Sequence, residues 1–539
     1  MRRWNGWGDD ATAMDLSEAA RVMLTARLGP GRPGVDAKRE DMLAQVPASR
    51  LPSHPLIQTD ATTRFAMAMG ESFADWIRKR FGALPPVPDG VAFPESSSQV
   101  RELLDLANAS NWVVIPFAGG TSVAGHLDCP ISDRPILSIN LGRMNRLLHL
   151  DKTSQLATFG AGTPGPLVEA QLRAQGYTLG HFPQSFEYST VGGWVVTRSS
   201  GQQSLRYGRI EQLFAGGRLE APVGTLTIPT LPASAAGPDL RELVLGSEGR
   251  FGILTEATLR VSHLPEHESF HALFLPGWDA AEAAVRELVQ RKLPLSMLRL
   301  SNGIETETNL TLAGHARLIG WLNRYLAWRG CATDKCMLML GVTADSRTAR
   351  QALREARRLL ARNGGVYIGP AMGNKWLAHR FKGPYLRNTL WDLGYSADTI
   401  ETAVDWPQVK PLMLAMEQAA RDVFAHYGEQ VHAFTHLSHL YPQGSAIYSQ
   451  FVWVTAKGGF APNFERWQKL KAAVAATIAA HGGTVSHQHG VGRDHAAHLA
   501  DEKGALGMAT LAQLCRHFDA NKIMNPGKLL QDGGPWAIS

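Results

Sequence analysis

Apolar residues recur along this chain in two different spacings, and the change from one to the other divides it. Residues 14–28 and 62–81 place apolar side chains three and four positions apart, which predicts amphipathic helices. The Pro- and Gly-rich segment 85–90 (PPVPDG) marks a boundary, and 96–111 then predicts a helix capped by serine. Short apolar runs typical of buried strands follow at 112–116, 135–140, 156–162 and 193–198.

The second half of the chain has longer helices. Segments 280–293 and 350–365 have helical spacing, and the apolar runs 271–276, 335–342 and 447–454 predict strands between them. Helices and strands mixed in this way predict an α+β fold. We expect an N-terminal helical extension, a strand-rich domain, a second α+β domain and a C-terminal segment, with the ranges 1–85, 86–265, 266–510 and 511–539.

The composition is that of a globular protein and narrows the range of partners. At 539 residues the chain is too long for one hydrophobic core. Its formal charge of +6 includes no long block of basic residues, which argues against nucleic acid and is compatible with an anionic small molecule. Four cysteines are too few for a disulfide scaffold, and we see neither a signal-peptide pattern nor an apolar run of about 18 residues. We therefore expect a cytoplasmic protein.

Two glycine-rich segments could hold a phosphate-containing ligand. GAGTPG (160–165) matches G-x-G-x-x-G, but no acidic residue closes a second strand about twenty residues later. We expect it to be a structural turn, with Thr163 and Pro164 beginning a helix. PFAGGTSVAG (116–125) follows a buried strand, and its paired glycines let consecutive N–H groups approach an anion. Taken alone, this loop could equally be a tight turn.

Two further segments strengthen the ligand hypothesis. PQSFEYSTVGGWVVTRSSG (183–201) has a second glycine pair and several hydroxyl groups. LVLGSEGRFGILTEATLRV (243–261) places three glycines before a predicted strand. Three such loops in one strand-rich domain suit a long ligand that crosses several strand ends.

These three segments together resemble the FAD-binding domain of the vanillyl-alcohol oxidase and p-cresol methylhydroxylase (PCMH-type) flavoproteins. Within that superfamily the chain is most similar to the alkylglycerone-phosphate synthases. The similarity extends over RRWNGWG (2–8), ETAVDW (401–406), SHLYPQGSAIY (438–448) and NPGKLL (525–530). The resemblance implies a PCMH-type FAD-binding domain, a substrate (cap) domain and a C-terminal segment that packs back near the flavin.

The resemblance also implies which residues hold the FAD. They are Phe117, Ala118, Gly119, Gly120, Thr121, Ser122, Val123, Pro183, Gln184, Ser185, Phe186, Glu187, Tyr188, Ser189, Val196, Thr197, Arg198, Ser199, Glu248, Gly249, Arg250, Phe251, Gly252, Ile253 and Leu254. Some relatives tether FAD through a histidine in the first loop, where this chain has Thr121 and Ser122. We therefore expect non-covalent FAD, with His126 the nearest residue that could form a tether.

Four histidines lie close together in SHQHGVGRDH (486–495) and at His498. They could be metal ligands, polar residues of a flavin site, or ordinary structural histidines. The resemblance favours the flavin site and no metal. The matching family segment carries three consecutive histidines, of which His487 and His489 keep the outer two while Gln488 replaces the central one. If the segment is extended, His487 and His489 share one face and Gln488 lies on the other.

Three further residues match positions that carry the family's chemistry. Tyr448 matches its catalytic tyrosine, as His487, His489 and Gln488 match its catalytic histidines, although a tyrosine in an apolar run could also belong to a core. Arg299 and Arg387 match substrate-site arginines. A guanidinium suits phosphate or carboxylate oxygens, but either arginine could instead form a structural ion pair.

Two functions follow from the resemblance. In the first, the enzyme replaces the acyl group of acyl-dihydroxyacetone phosphate with a fatty alcohol in ether-lipid synthesis, through an adduct at the flavin N5. In the alternative, an FAD-dependent oxidoreductase takes a hydride from a small 2-hydroxy acid or phosphorylated polyol. Gln488 weakens the first function, because glutamine is not a general base. We expect the substrate to be an anionic small or lipid-like molecule. We also expect peripheral contact with a membrane and a homodimer.

Overall fold

The computed structural model describes residues 1–531. Its strands are β1 (Ile57–Gln58), β2 (Gly90–Ala92), β3 (Val113–Phe117), β4 (Ile136–Asn140), β5 (Leu147–Asp151), β6 (Leu156–Gly160), β7 (Tyr177–Thr178), β8 (Phe214–Ala221), β9 (Gly224–Ile228), β10 (Ile253–Arg260), β11 (Ser262–His263), β12 (His267–Leu275), β13 (Met297–Ser301), β14 (Cys336–Ala344), β15 (Val366–Gly369), β16 (Tyr395–Asp405), β17 (Val431–Leu440) and β18 (Gly444–Val454). Its helices are α1 (Glu18–Leu28), α2 (Arg39–Ala44), α3 (Ala61–Ala66), α4 (Phe73–Phe81), α5 (Ser97–Ala109), α6 (Gly165–Arg173), α7 (Val191–Val196), α8 (Ser204–Tyr207), α9 (Ile210–Leu213), α10 (Arg241–Val244), α11 (Trp278–Gln290), α12 (Gly303–Leu312), α13 (Ala316–Trp328), α14 (Ser346–Arg362), α15 (Ala371–His379), α16 (Leu386–Asp392), α17 (Trp406–Ala425), α18 (Phe460–Ala480) and α19 (Leu499–Phe518). Short 3-10 helices lie at Leu141–Arg143, Gly383–Tyr385 and Ala496–His498. The predicted α+β class is confirmed.

The helical pattern at 62–81 forms two helices, α3 and α4, instead of one. Gly70 lies in the break, where an added Cβ would stand 2.8 Å from the backbone oxygen of Ser122. Ser72 restarts the helix, because its side chain accepts a hydrogen bond from the N–H of Asp75. The close approach of two backbones therefore overrides the periodicity.

The strand-rich domain contains two main sheets. One has the order β1-β2-β4-β3, in which β2, β4 and β3 are parallel, and the other is the antiparallel sheet β5-β6-β10-β8-β9. Residues 523–525, near the end of the described range, return to the first sheet. The Val114 N–H donates to the Ile523 oxygen and the Asn525 N–H donates to the Val114 oxygen, at 2.7 and 2.8 Å.

The second α+β region is built on a seven-stranded antiparallel sheet of order β15-β12-β14-β13-β17-β18-β16. Side chains alternate between its faces. Leu338, Leu340 and Ile447 point into the largest hydrophobic core, which also contains buried residues of α11, α14, α17 and α18. Neighbouring positions such as Arg299 and Tyr448 point to the other face, where the sheet borders a cavity.

One predicted strand is wrong, since the apolar run 193–198 lies mostly in helix α7. Thr190 begins this helix by accepting a hydrogen bond from the Gly193 N–H through its side chain. Gly192 packs tightly on Ala161, where an added Cβ would come within 2.8 Å. A short apolar run buried on most sides has no periodicity that separates a helix from a strand.

The G-x-G-x-x-G segment is structural, as predicted. A Cβ on Gly162 would stand 1.8 Å from the Leu141 oxygen, and none of the three glycines lines the large cavity of the described chain. The helix that follows begins later than expected. Pro164 is its N-cap residue, and the Thr163 hydroxyl donates to the Gly160 oxygen instead of capping the helix.

Candidate active site

A cavity of about 620 Å³ lies between loops of the strand-rich domain and the open face of the seven-stranded sheet. This volume is within the usual range for small-molecule and cofactor sites. The loop after β3, the segment around α7 and the turn before β10 form one side of it, while β13, β17 and β18 form another. Side chains of α1, α12 and α16 close an apolar end. The three loops singled out in the sequence thus meet at one cavity.

The loop 117–123 lines this cavity along its whole length. Gly120 has φ +65°, and a Cβ on Gly119 would stand 2.2 Å from the Tyr188 oxygen, so both positions require glycine. Within residues 1–531, the backbone N–H groups of 119–123 donate to no protein acceptor. A row of free N–H groups at a cavity wall is suited to bind phosphate oxygens.

Most of the other predicted cofactor residues line the same cavity. They are Pro183, Gln184, Ser185, Ser189, Val196, Thr197, Ser199, Glu248, Gly249, Gly252, Ile253 and Leu254. Neighbouring chain positions point in different directions, so other members of these stretches do not. The side chains outside the cavity are Phe186, Glu187, Tyr188, Arg198, Arg250 and Phe251.

Each of these six side chains has a partner of its own within the described chain, so their contact with the cofactor stays a prediction. Phe186 stacks on Phe381, Glu187 pairs with Lys382, Tyr188 contacts Trp7, Arg198 pairs with Glu242, Arg250 donates to the Met524 oxygen, and Phe251 stacks on Phe518. These contacts join the ligand loops to the rest of the protein.

The histidine segment wraps around one carboxylate instead of extending. Glu401 Oε1 accepts the N–H groups of His487, Gln488 and His489 at 3.0, 2.9 and 3.0 Å. Gln488 and His489 consequently line the cavity, and His487 does not. The expected sharing of a face by His487 and His489 is therefore wrong, because convergence on one acceptor turns the backbone between them.

His487 lies behind the cavity wall. Its Nε2 is 2.7 Å from the Tyr441 hydroxyl and 2.5 Å from an Arg209 nitrogen. Its ring stacks at 5.1 Å on His439, which does line the cavity. Burial lowers the pKa of His487, and the charge of Arg209 lowers it further, although Glu401 opposes both. This arrangement supports the wall and keeps His487 neutral at pH 7.

His489 and Tyr448 face the cavity side by side. Their ring centroids are 5.8 Å apart, the planes are at 79°, and the Tyr448 hydroxyl donates to Thr399 at 3.1 Å. Burial raises the pKa of Tyr448 to about 12. Burial also lowers the pKa of His489, against the opposing charge of Glu401. At neutral pH, His489 is thus an uncharged base and Tyr448 a proton donor.

Arg299 lines the cavity but is already paired. One guanidinium nitrogen donates to Glu305 at 2.8 Å and lies 3.2 Å from His436. Burial would raise the pKa of Glu305, but His436 and Arg299 hold it at about 2. His436 in turn stacks on Tyr448 at 5.0 Å. Arg299 therefore stabilises this wall through its ion pair with Glu305. The pair already neutralises much of the positive charge that a ligand could use.

The positive charge of Arg387 is less compensated than that of Arg299. One guanidinium nitrogen of Arg387 donates to the backbone oxygen of Glu71 at 2.9 Å, and the guanidinium lies 4.4 Å from the centre of the Trp76 ring. Its Nε and Nη2 atoms are buried and have no hydrogen-bond partner in residues 1–531. Buried donors of a permanent cation require an acceptor, which an anionic ligand in the cavity would supply.

Several other features of the wall fit FAD. The side-chain oxygens of Gln488 and Asn525 are buried without a partner in the described chain and can meet polar atoms of a ligand. His126 is engaged, since its Nδ1 lies 2.6 Å from the Ser122 hydroxyl and its Nε2 lies 3.2 Å from Glu248. The free N–H row, the unpaired amide oxygens and the three loops that meet at this cavity together match a dinucleotide with a polar ring system.

Sequence reasoning missed four residues of the site. Glu401, His439 and Tyr441 lie within segments that carry the family resemblance, so a signal for them existed. Arg209, which also donates to the His487 oxygen at 2.8 Å, had none. All four act through contacts between segments distant in the chain, which spacing does not reveal.

The described residues lack two kinds of feature. Across 1–531, no group of three or more His, Cys, Asp or Glu side chains is arranged to hold a metal ion. Nor does any helix in that range combine the length and the apolar character needed to cross a membrane.

Comparison with known families identifies the class of protein. A FAD binding domain matches residues 88–228, and the C-terminal domain of FAD linked oxidases matches residues 264–529. Together the two matches cover most of the chain, which is an FAD-dependent enzyme with a PCMH-type FAD-binding domain and the C-terminal domain of FAD linked oxidases.

Full-length comparison is more specific. The chain is 28% identical to an alkyldihydroxyacetonephosphate synthase of Trypanosoma brucei brucei over 573 aligned positions, covering 98% of this chain and 92% of the relative. A solved alkyldihydroxyacetonephosphate synthase is 25% identical with a TM-score of 0.83, covering 97% and 98% of the two chains. A solved p-cresol methylhydroxylase shares the fold, with 12% identity, a TM-score of 0.66 and coverage of 88% and 94%. The resemblance inferred from the sequence is confirmed.

Proposed function

We propose that this enzyme replaces the acyl group of acyl-dihydroxyacetone phosphate with a fatty alcohol, as in ether-lipid synthesis. The relatives that match over the full chain are named for the alkyl product of this reaction. The phosphate of such a substrate requires a cation, and Arg387 offers buried donors without partners in residues 1–531. The aliphatic chain requires an apolar channel.

The observation that carries the proposal is the apolar end of the cavity. It is lined by Leu16, Leu24, Leu312, Leu390 and Phe434. Alternate residues of β17 line the cavity from His432 to Ser438, so it extends about 20 Å along that strand. This apolar end can hold an alkyl chain, whereas a small 2-hydroxy acid would use only the polar end.

The residues at the polar end can perform the proton transfers. Bound FAD would supply a reactive ring system that is used without net oxidation. His489, uncharged at neutral pH, would take the proton from the alcohol O–H, and the Tyr448 hydroxyl, which stays protonated, would donate a hydrogen bond to the departing carboxylate. Glu401 holds the loop that carries His489. Gln488 can donate and accept hydrogen bonds there, but it cannot exchange a proton.

The test is exchange by the purified holoenzyme with acyl-dihydroxyacetone phosphate and a labelled fatty alcohol. We expect an alkyl ether product and, once the substrates are consumed, the flavin spectrum of the oxidised form, because the reaction has no net redox change. His489→Ala should lower the exchange rate by about 10²–10⁴-fold with FAD retained. His498→Ala is the matched control, because His498 lies 3.6 Å from Asp501 and does not line this cavity. Equal loss in both variants would contradict the role of His489.

The alternative function is oxidation of a small 2-hydroxy acid or phosphorylated polyol by the flavin. One observation favours it: Gln488 replaces a histidine of the synthase motif and lines the cavity. A dehydrogenase would still have His489 as its base. Anaerobic mixing with candidate hydroxy acids separates the two, since bleaching of the flavin together with absent ether exchange would select the alternative.

We further propose that the protein works in the cytoplasm and contacts a membrane surface through α13. This helix exposes large apolar side chains beside Arg317, Arg324 and Arg329, as interfacial helices do. They are Leu318, Trp321, Tyr325 and Trp328, with exposed fractions of 68%, 70%, 40% and 79%. Helix α12, immediately before it, lines the apolar end of the cavity.

Vesicle sedimentation tests the membrane contact. Trp321→Ser and Trp328→Ser should reduce binding to vesicles that contain anionic lipid. Leu414→Ser, at an exposed apolar residue of α17, should not. Equal binding by all variants would contradict the contact. We also propose that the enzyme is a homodimer, which analytical ultracentrifugation of the holoenzyme tests.

A further inference from the structure

The first residues of the chain connect the loop 117–123, which lines the cavity, to the cap domain. We name residues 2–9 the N-terminal clasp. The Arg2 guanidinium donates to the Gly119 oxygen at 2.7 Å and to the Gly120 oxygen at 3.2 Å. It also lies 5.1 Å from the ring of Tyr188, whose backbone packs on Gly119. One side chain therefore holds two successive carbonyl groups of the loop.

Peptide geometry gives this contact a consequence for the cofactor. In a trans peptide unit the C=O and the following N–H are coplanar and point in opposite directions. The Gly119 carbonyl shares its unit with the Gly120 N–H, and the Gly120 carbonyl shares its unit with the Thr121 N–H. These two N–H groups belong to the free row at the cavity wall. Holding the carbonyls outside directs the N–H groups inward.

The other end of the clasp is fixed to the cap domain. Asn388 accepts the Trp7 N–H and donates to the Trp7 oxygen, both at 3.0 Å. Gly8 has φ +80°, and a Cβ there would stand 2.3 Å from the Tyr385 ring, so the clasp lies flat against that ring. Asn388 follows Arg387 directly in α16. The clasp thus connects the loop 117–123 to α16, the helix that carries Arg387.

We infer that the N-terminal clasp is a positioning element for FAD, in which Arg2 orients the N–H groups of Gly120 and Thr121 toward the pyrophosphate. A loop with two glycines samples many backbone conformations unless it is held. The guanidinium places its positive charge on the carbonyl side, which also strengthens the hydrogen bonds that the same peptide units donate. FAD binding can be measured without ether exchange, so the role of the clasp is tested separately from the proposed reaction.

The experiment measures FAD release from the holoenzyme by the recovery of flavin fluorescence after dilution. Arg2→Ala should release FAD about tenfold faster, at the low end for a hydrogen bond from a charged group because Arg2 is exposed. Arg3→Ala is the matched control. It removes the same charge one residue away, but Arg3 donates to the Asp10 and Thr12 oxygens and not to the loop.

Two further variants separate orientation from charge and from folding. Arg2→Lys keeps the charge but lacks the fork that reaches both carbonyls, so it should stay closer to Arg2→Ala than to wild type. Gly8→Ala displaces the clasp while keeping Arg2, and it should also speed FAD release. Far-UV circular dichroism of each holoenzyme should match that of the wild type, which separates faster release from unfolding. Full rescue by lysine, equal release by Arg3→Ala, or flavin retained equally by every variant would each overturn the inference.

Discussion

Replacement of Glu401 by glutamine tests how the histidine segment is held. The carboxylate is buried and accepts three backbone N–H groups through one oxygen, with the Ser486 hydroxyl as a fourth donor at 2.9 Å. A hydrogen bond to a charged acceptor contributes about 1 kcal/mol more than one to a neutral acceptor. Across three N–H groups, Glu401→Gln should lower the free energy of unfolding by about 2–3 kcal/mol.

Turnover should fall further than stability alone explains. His489 depends on this turn for its place at the cavity, and a shift of about 1 Å at a reacting group can lower the rate by about 100-fold. The assays are urea unfolding and ether exchange at saturating FAD. Glu417→Gln is the matched control, since burial raises the pKa of that carboxyl and its neutral amide analogue should cost less. If Glu401→Gln unfolds and turns over like Glu417→Gln, the reasoning is refuted.

The pH dependence of stability provides an independent measurement. Burial would raise the pKa of Glu401, but His489, His487 and the backbone N–H groups hold it well below 4.5. The stabilisation is therefore complete above about pH 4.5, the unfolded value, and is lost as pH falls through the lower folded value. Wild type should lose more stability on acidification than Glu401→Gln, and parallel curves would contradict the depressed pKa.

Four other predictions follow from the site. Acid precipitation should release the FAD, since His126 is engaged by neighbouring side chains; colour remaining on the precipitated polypeptide would contradict this. Arg387→Ala should raise the KM for the phosphorylated substrate by about 10- to 100-fold. Arg299→Ala removes a residue that is paired with a carboxylate and should mainly lower the free energy of unfolding. The reverse pattern would mean that the two arginines have each other's role. Gln488→His should maintain or raise ether exchange if the enzyme is a synthase, and flavin reduction without exchange would instead indicate the oxidoreductase. Chelator treatment should leave activity intact, because His489 acts here without a metal, and bound zinc whose removal abolishes activity would contradict that.

Much of the site could be predicted because the glycine-rich loop is a local feature. A buried strand followed by two glycines forms a ligand loop through backbone geometry that neighbouring residues determine. The strand β3 and the loop at 117–123 accordingly lie as expected, at the cavity wall. Side-chain direction within the matched stretches was less predictable. Tyr188 and Arg198 point out of the cavity, because partners distant in the chain hold them there.

The elements with strong periodicity are therefore the ones that could be predicted from the sequence alone. Helices α5, α11 and α14 and strands β3, β14 and β18 lie where the spacing predicts, since their form depends on neighbours a few residues away. The break at Gly70, the helix α7 and the turn of 486–489 depend instead on tertiary contacts. In that turn the acceptor for the His487 N–H is 86 residues away along the chain. Backbone groups without a partner in their own segment take the geometry that a distant partner imposes, and such partners come together only in the folded chain.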